Sequence, residues 1–454
     1  MMRSLFSGVS GLRAHQQKMD VIGNNVANVN TVGFKAGRVT FSDIFSQTLK
    51  GATGPDSTTG RGGINPMQVG LGLSVSSVDT IMTRGSTETT GSQNDLCIDG
   101  NGFFIVRSGT TGMYMFTRAG NFTLDKSGNL ATADGMNVYG WLDYGGVRQN
   151  DGSYKFDTDR EVEPINIYSD DYNNNKRVVS AKATENVSFS GSLDSSEEAL
   201  GTAEGTAPDT STVAPHHSTT MTVYDSLGNS HEVEVNFYKC YVNTGDASNP
   251  LSVWYWEIPG SGGTTTSGAG GFIEFESDGD LVTGDTSFPI TGEVTFTPAA
   301  STGAAPFTAK IDFSDITASS ADSSVEADLV DGYPAGTLED YSIGADGIIM
   351  GVYSNGQQQP LGMIALAGFA NPAGLSKAGS NYYAATANSG DFVNGVAAGS
   401  GGTGLLSAGS LEMSNVDLSN EFSAMIITQR GFQANSRIIT TADEMLQELV
   451  NLKR

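Results

Sequence analysis

Cysteine is scarce in this 454-residue chain, which holds only Cys97 and Cys240 and no Cys-x-x-Cys pair. Two such distant thiols argue against a disulfide scaffold and against a cysteine zinc site, and read as small buried hydrophobes. Positive charge is scarce as well: 24 Lys+Arg stand against 50 Asp+Glu, a formal net charge of −26. Nucleic-acid binding is therefore not expected, because phosphate contacts need clustered cations. The same imbalance argues against an anionic membrane surface. No apolar run approaches the roughly 18 residues of a membrane span, so membrane insertion is not expected either. The opening MMRSLFSGVSGLRAHQQKMD lacks the apolar core of a cleaved secretory signal.

Signatures of chemistry are equally thin. There is no GxxxxGK[ST], HExxH or GxSxG. The stretch GSGGTG at 399–404 matches GxGxxG in form, but it lies in glycine-rich sequence without the flanking strand and helix of a dinucleotide site. His216 and His217 sit in a Thr/Ser-rich turn and read as surface. Glu276, Asp278, Asp280 and Asp285 could offer oxygens to Ca²⁺, yet they lack the full calcium-loop pattern and read as a hairpin turn. No catalytic residue, metal or cofactor is expected, and no enzyme.

What is present is sharply partitioned. Residues 1–150 carry 12 basic and 10 acidic groups, residues 151–345 carry 7 and 32, and residues 346–454 carry 5 and 8. Almost the whole imbalance lies in the middle, which reads as a separate, strongly solvated module. Proline is missing before Pro55 and after Pro372.

The two proline-free ends read as amphipathic helices. Leu418, Met425, Phe432, Ile439 and Leu446 recur at seven-residue spacing, with Phe422 on a half-step. That pattern predicts a coiled-coil-like seam over 413–452, started by Ser414 or Asp417 as cap. Leu5, Leu12, Met19 and Val26 repeat the spacing, and Ile22 adds to the stripe, predicting a helix over roughly 4–28. Two helices alone bury such stripes only partly. They either close one globular protein or pack on the ends of other copies; a contact that does not close makes a helical filament. Between the ends, short alternating runs such as GFFIV at 102–106 and EVEVNFY at 232–238 predict β-strands. Turns such as KSGN at 126–129, SLGN at 226–229 and SDGD at 277–280 separate strands, and 261–271 and 398–404 read as loops.

The stretch GNNVANVNTVGFK at 23–35 is similar to the N-terminal signature of the bacterial flagellar rod and hook family, and residues 414–452 resemble its C-terminal one. GNGFFIV at 100–106, FTRAGNF at 116–122 and GMNVYGW at 135–141 resemble its shared β-domain. The motif residues are Asn24, Asn25, Asn28, Asn30, Thr31, Gly33, Phe34 and Lys35, with Gln429, Arg430, Gln433, Asn435 and Ser436 in the last helix. The large insert favours the hook members; a distal rod protein is the alternative, and a secreted β-rich adhesin a more distant one. Gly431 in the last helix departs mildly from good helix sequence, which leaves room for local flexing or for close packing.

The resemblance implies a mixed α and β multidomain fold. Paired terminal helices would form an inner domain from 1–28 plus 413–454. An extended linker would span 29–72 plus 400–412, and a family β-domain 73–148 plus 341–399. The acidic outer β-domain would be 149–340, inserted in the middle one and mainly antiparallel. It further implies an extracellular homopolymer: a curved tube around an export channel, acting as a universal joint between rod and filament. Its partners would be copies of itself, the distal rod protein, the hook–filament junction protein, the hook cap protein and the flagellar export apparatus. The apolar stripes would be the assembly interface.

Overall fold

A computed structural model describes residues 2–55, 62–109, 111–143, 154–170, 174–202, 205–243, 251–260, 265–268, 270–282 and 291–451. The chain divides into two compact units. One comprises 1–176, 341–351 and 359–454; the other comprises 177–340 and 352–358.

The first unit holds both helices, α1 (Met2–Ala27) and α2 (Leu418–Asn451). Asp417 ends the non-helical approach to α2. Its Oδ1 accepts hydrogen bonds from the Ser419 and Asn420 N–H groups at 2.8 and 3.3 Å, and so satisfies donors that a helix start leaves free. The helix thus begins five residues later than the periodicity predicts, because 413–416 is held extended. Met413 N–H, for example, donates to Ser86 O.

The β-core of this unit is antiparallel. Tyr114–Thr117 lies between Phe103–Arg107 and Tyr382–Ala384, and Gln358–Ala367 pairs with Asn137–Trp141 and Phe103–Arg107. The near-continuous apolar runs of Phe103–Arg107 and Gln358–Ala367 are buried, packing Phe103, Ile105, Phe116, Trp141 and Ala365 into one core. Residues 29–72, expected as an extended linker, contain Gly37–Asp43, which pairs with Leu73–Thr80, and a hairpin of Ser46–Lys50 with Met67–Gly70. In 400–412, Leu405–Ala408 pairs with Leu96–Asp99 and Ser410–Glu412 with Thr87–Thr89, so this stretch is part of the sheet structure. Glu163–Pro164 pairs with Asn137–Trp141, which puts residues that the charge map groups with the insert in the first unit.

The second unit is a sandwich of two sheets. Thr265–Ser267, Thr291–Thr297, Phe307–Ser319, Asn186–Asp194 and Glu326–Val330 lie in that order in one, with a parallel pairing between Asn186–Asp194 and Phe307–Ser319. His217–Tyr224, Ser230–Asn243, Leu251–Glu257 and Gly270–Phe275 form an antiparallel meander in the other. Period-two alternation puts Val233 and Val235 inside and Glu232 and Glu234 outside. Phe189, Phe237 and Trp256 gather round Phe313 in the core, with ring centroids 5.1–6.0 Å from it. Two sequence expectations change here. Thr265–Ser267, within the expected loop 261–271, is an edge strand. His216 and His217 are half-buried rather than surface, since the strand His217–Tyr224 brings them against Phe237 and Trp254. Asp285 lies outside the described residues. Cys97 and Cys240 are buried free thiols.

Candidate functional site

The helical pair is joined through small residues. A Cβ on Gly11 would come within 2.8 Å of the Asn435 side chain, one on Gly8 within 3.2 Å of Ile439 Cγ1, and one on Gly431 within 2.8 Å of the His15 ring. Ala14, Thr428 and Ala442 are buried. Asn435 Nδ2 donates to Gly431 O at 3.0 Å. Glycine and alanine let the two backbones approach closely, which leaves the large apolar side chains beside the seam.

This changes the place of the predicted stripe. On α1, Ile22 is buried and Leu5, Leu12, Met19 and Val26 are half-buried. On α2, Met425, Ile439 and Leu446 are half-buried, whereas Leu418, Phe422 and Phe432 are exposed. A seven-residue repeat drifts ~20° per heptad on a straight helix, so the stripe slides from the outer surface towards the seam along its length. Further large apolar residues stand exposed that the heptad count missed: Phe6, Ile426, Ile427, Ile438, Met445 and Leu449. At 3.6 residues per turn, Ile427, Ile438, Met445 and Leu449 lie on one flank of α2, and Leu418, Phe422, Ile426 and Phe432 on the other. A count of every large apolar residue on the helix, rather than the heptad alone, would have found both flanks.

The N-terminal motif residues build a clasp between the helices and the β-core. Asn25, buried, exchanges two hydrogen bonds with the Gly37 backbone at 2.8 and 2.9 Å and donates to Glu421 Oε1 at 2.9 Å. Asn28 Nδ2 donates to Asn24 O, and Thr31 Oγ1 to Asn28 Oδ1, closing the turn after α1. Gly33 has φ +68° and donates its N–H to Glu412 O at 2.7 Å; a Cβ there would lie 2.7 Å from Ala119 N. Phe34 is buried with Lys377 Nζ 5.1 Å from its ring centroid. Asn30 is exposed.

Lys35 lies at the centre of the clasp. It is 1% exposed, and its Nζ meets Glu412 Oε1 at 2.7 Å and Thr83 O at 2.8 Å. Arg118 Nη1 meets Glu412 Oε2 at 3.2 Å, and Gly85 N–H donates to Glu412 Oε1 at 3.0 Å. Burial pulls the Lys35 ammonium below its ordinary pKa, against the raising effect of the Glu412 carboxylate. Burial likewise lowers Arg118 and pushes the Tyr383 phenol up to about 12. Asn415 completes the joint: its Oδ1 accepts from Ala36 N–H and its Nδ2 donates to Ile81 O, both at 2.8 Å.

The C-terminal motif residues divide. Asn435 sits in the helix seam and Ser436 is half-buried, while Gln429, Arg430 and Gln433 are exposed, with Arg430 Nη1 donating to Gln433 Oε1 at 3.3 Å. Glu412, Arg118 and Asn415 were not singled out from the sequence. Arg118 lies in the FTRAGNF stretch, and that was the available signal.

Comparison with known proteins falls on these same elements. A family described as flagella basal body rod protein matches residues 5–35, which cover most of α1 and the turn to Lys35. The C-terminal family of flagellar basal body rod FlgEFG proteins matches 407–452, from the end of the strand Leu405–Ala408 through Glu412 and α2. The D1 domain of flagellar hook protein FlgE/F/G matches 97–179, and the D2 domain of flagellar basal body protein FlaE matches 192–333. The flagellar hook protein FlgE of Borreliella burgdorferi is 40% identical over 100% of both chains. That decides the matter. The chain belongs to the flagellar hook protein family. The flagellar hook protein FlgE of Salmonella typhimurium is 34% identical over 99% of this chain and 100% of its own. A Bacillus subtilis protein named flagellar basal-body rod protein FlgG is 31% identical over 100% of both.

Proposed function

We propose that the chain is the structural subunit of a flagellar hook and that it polymerises through the exposed apolar flanks of α1 and α2. The observation that carries this reading is the small-residue seam, which holds the helices together while leaving Phe422, Ile426, Ile427 and Phe6 in water. Exposed apolar side chains in this number on one helical pair favour burial against further copies. A repeated contact of one copy on the next that does not close gives a helical tube. The helical pairs would line its wall around the export channel, and the β-units would face outward.

Such a tube would act as a universal joint, passing torque from the distal rod protein to the junction proteins of the filament. It would grow under a cap protein, outside the cell, from subunits delivered by the flagellar export apparatus. Polar, acidic contacts between second units would slide more easily than the apolar helix contacts. Replacing Ile427 and Phe422 by Ser tests the assembly surface. Polymers should disappear from electron micrographs and from sedimentation, while the thermal transition of the full-length monomer stays in place. A monomer destabilised to the same degree would instead mark these residues as part of its own core.

A further inference from the structure

The clasp leaves an electrostatic remainder. Lys35 and Arg118 share one buried carboxylate, Glu412. Only Nη1 of Arg118 donates to a described acceptor, and its buried Nε has no partner among the described residues. A guanidinium carries five N–H donors, and leaving donors of a buried cation unpaired is costly. Arg118 is 4% exposed, yet it lines a cavity of about 570 Å³. That volume lies within the usual range for small-ligand sites.

The other walls give the site its character. Met82, Phe103, Phe369 and Val396 are apolar, and Asn101 adds a polar side chain. Gly401, Gly402 and Thr403 from the GSGGTG loop form a further wall. No atom lies within 4 Å of a Cβ placed on Gly402, and one placed on Gly368 would meet only Thr403 Cγ2, at 3.9 Å. Side chains added at Gly368 or Gly402 would thus enter open space.

We propose that this cavity is a binding site for a single carboxylate carried on a short apolar stem, recognised by Arg118. A planar carboxylate matches a guanidinium edge. The apolar walls suit the stem and disfavour a strongly hydrated dianion such as phosphate. The carboxylate would balance the excess positive charge of the Lys35–Glu412–Arg118 group. Its source is either a free small acid or an acidic side chain of a second copy, and the two are separable.

The test needs no polymer, so its failure is distinct from failure of the assembly reading. The full-length monomer, labelled with ¹⁵N-arginine, is titrated with phenylacetate while the Arg118 Nε–H resonance is followed; Arg118→Lys assigns that signal. A saturable shift is expected, with the neutral isostere phenylacetamide binding at least about tenfold more weakly, as loss of a charged hydrogen bond implies. Gly368→Phe, which fills the cavity without touching the clasp, should abolish the shift and keep the wild-type thermal transition. No saturable shift up to about 10 mM phenylacetate, or an equal response to the amide, overturns the proposal. If assembled tubes still retain labelled phenylacetate, the site serves a free acid. If monomers bind it and tubes exclude it, the neighbouring copy supplies the carboxylate.

Discussion

Glu412 shows how much a single buried carboxylate can organise. It is completely buried and receives Lys35, Arg118 and the Gly85 N–H. Changing Glu412 to Gln would leave two cations in the interior without a countercharge, and breaking buried pairs in this way costs about 3–5 kcal/mol. Urea unfolding of the full chain should register that loss, and Lys35→Met should cost less, because it removes a charge together with its burial penalty. Asp225 gives a second test, in pH. Its carboxylate is buried, which pushes its pKa up, but hydrogen bonds from Asn229, His231 and the Leu227 N–H outweigh this and hold it below the ordinary 3.8. The unfolded chain then binds the proton more readily. The stability from Asp225 is fully present above pH 3.8 and is lost as the pH falls through the lower folded value. Acid unfolding followed by Trp254 and Trp256 fluorescence should show this loss, and Asp225→Ala should flatten it. These residues were the least legible in the sequence. Lys35 and Asn25 stood in a recognisable motif, but Glu412 lies 377 positions after Lys35, and an isolated charge in a strand leaves no periodic trace.

At the level of elements the sequence was far more readable. Both helices, the strands around Phe104 and Val233, and the turns with glycine all follow from period and turn chemistry. The turns at 126–129 and 226–229 are alike in detail. Asp125 and Asp225 each accept two backbone N–H groups and the side chain of an Asn four residues on. The heptad marked the large residues, whereas the helix contact is made mainly where side chains are small. That contact gives its own prediction. Gly11→Val would force a side chain towards Asn435 and should cost about 1–3 kcal/mol as an overpacked joint. Gly23 has no atom within 4 Å of an added Cβ, so Gly23→Ala should stabilise α1 by up to about 1 kcal/mol. Far-ultraviolet circular dichroism on heating should move the two variants in opposite directions.

On the scale of the whole molecule, the charge map anticipated a distinct acidic module. The boundary it drew at 151 differs from the start of the compact unit at 177, because composition reports solvent exposure and not strand pairing. If second units of neighbouring copies touch in a hook, their shared negative charge should oppose tight packing. Salt screens such repulsion over ~8 Å at physiological strength, so the bending stiffness of isolated hooks should rise with added salt. Stiffness unchanged across a wide salt range would remove electrostatics from the account of flexibility.

The clasp also sets a schedule for the newborn chain. Lys35 leaves the ribosome hundreds of residues before Glu412, and α1 before the helix that covers its glycines. Until Glu412 and α2 have followed, the lysine lacks its carboxylate and the first helix its companion. A polypeptide stalled or cut short anywhere upstream of Glu412 should therefore stay pliant and sensitive to protease at its front end.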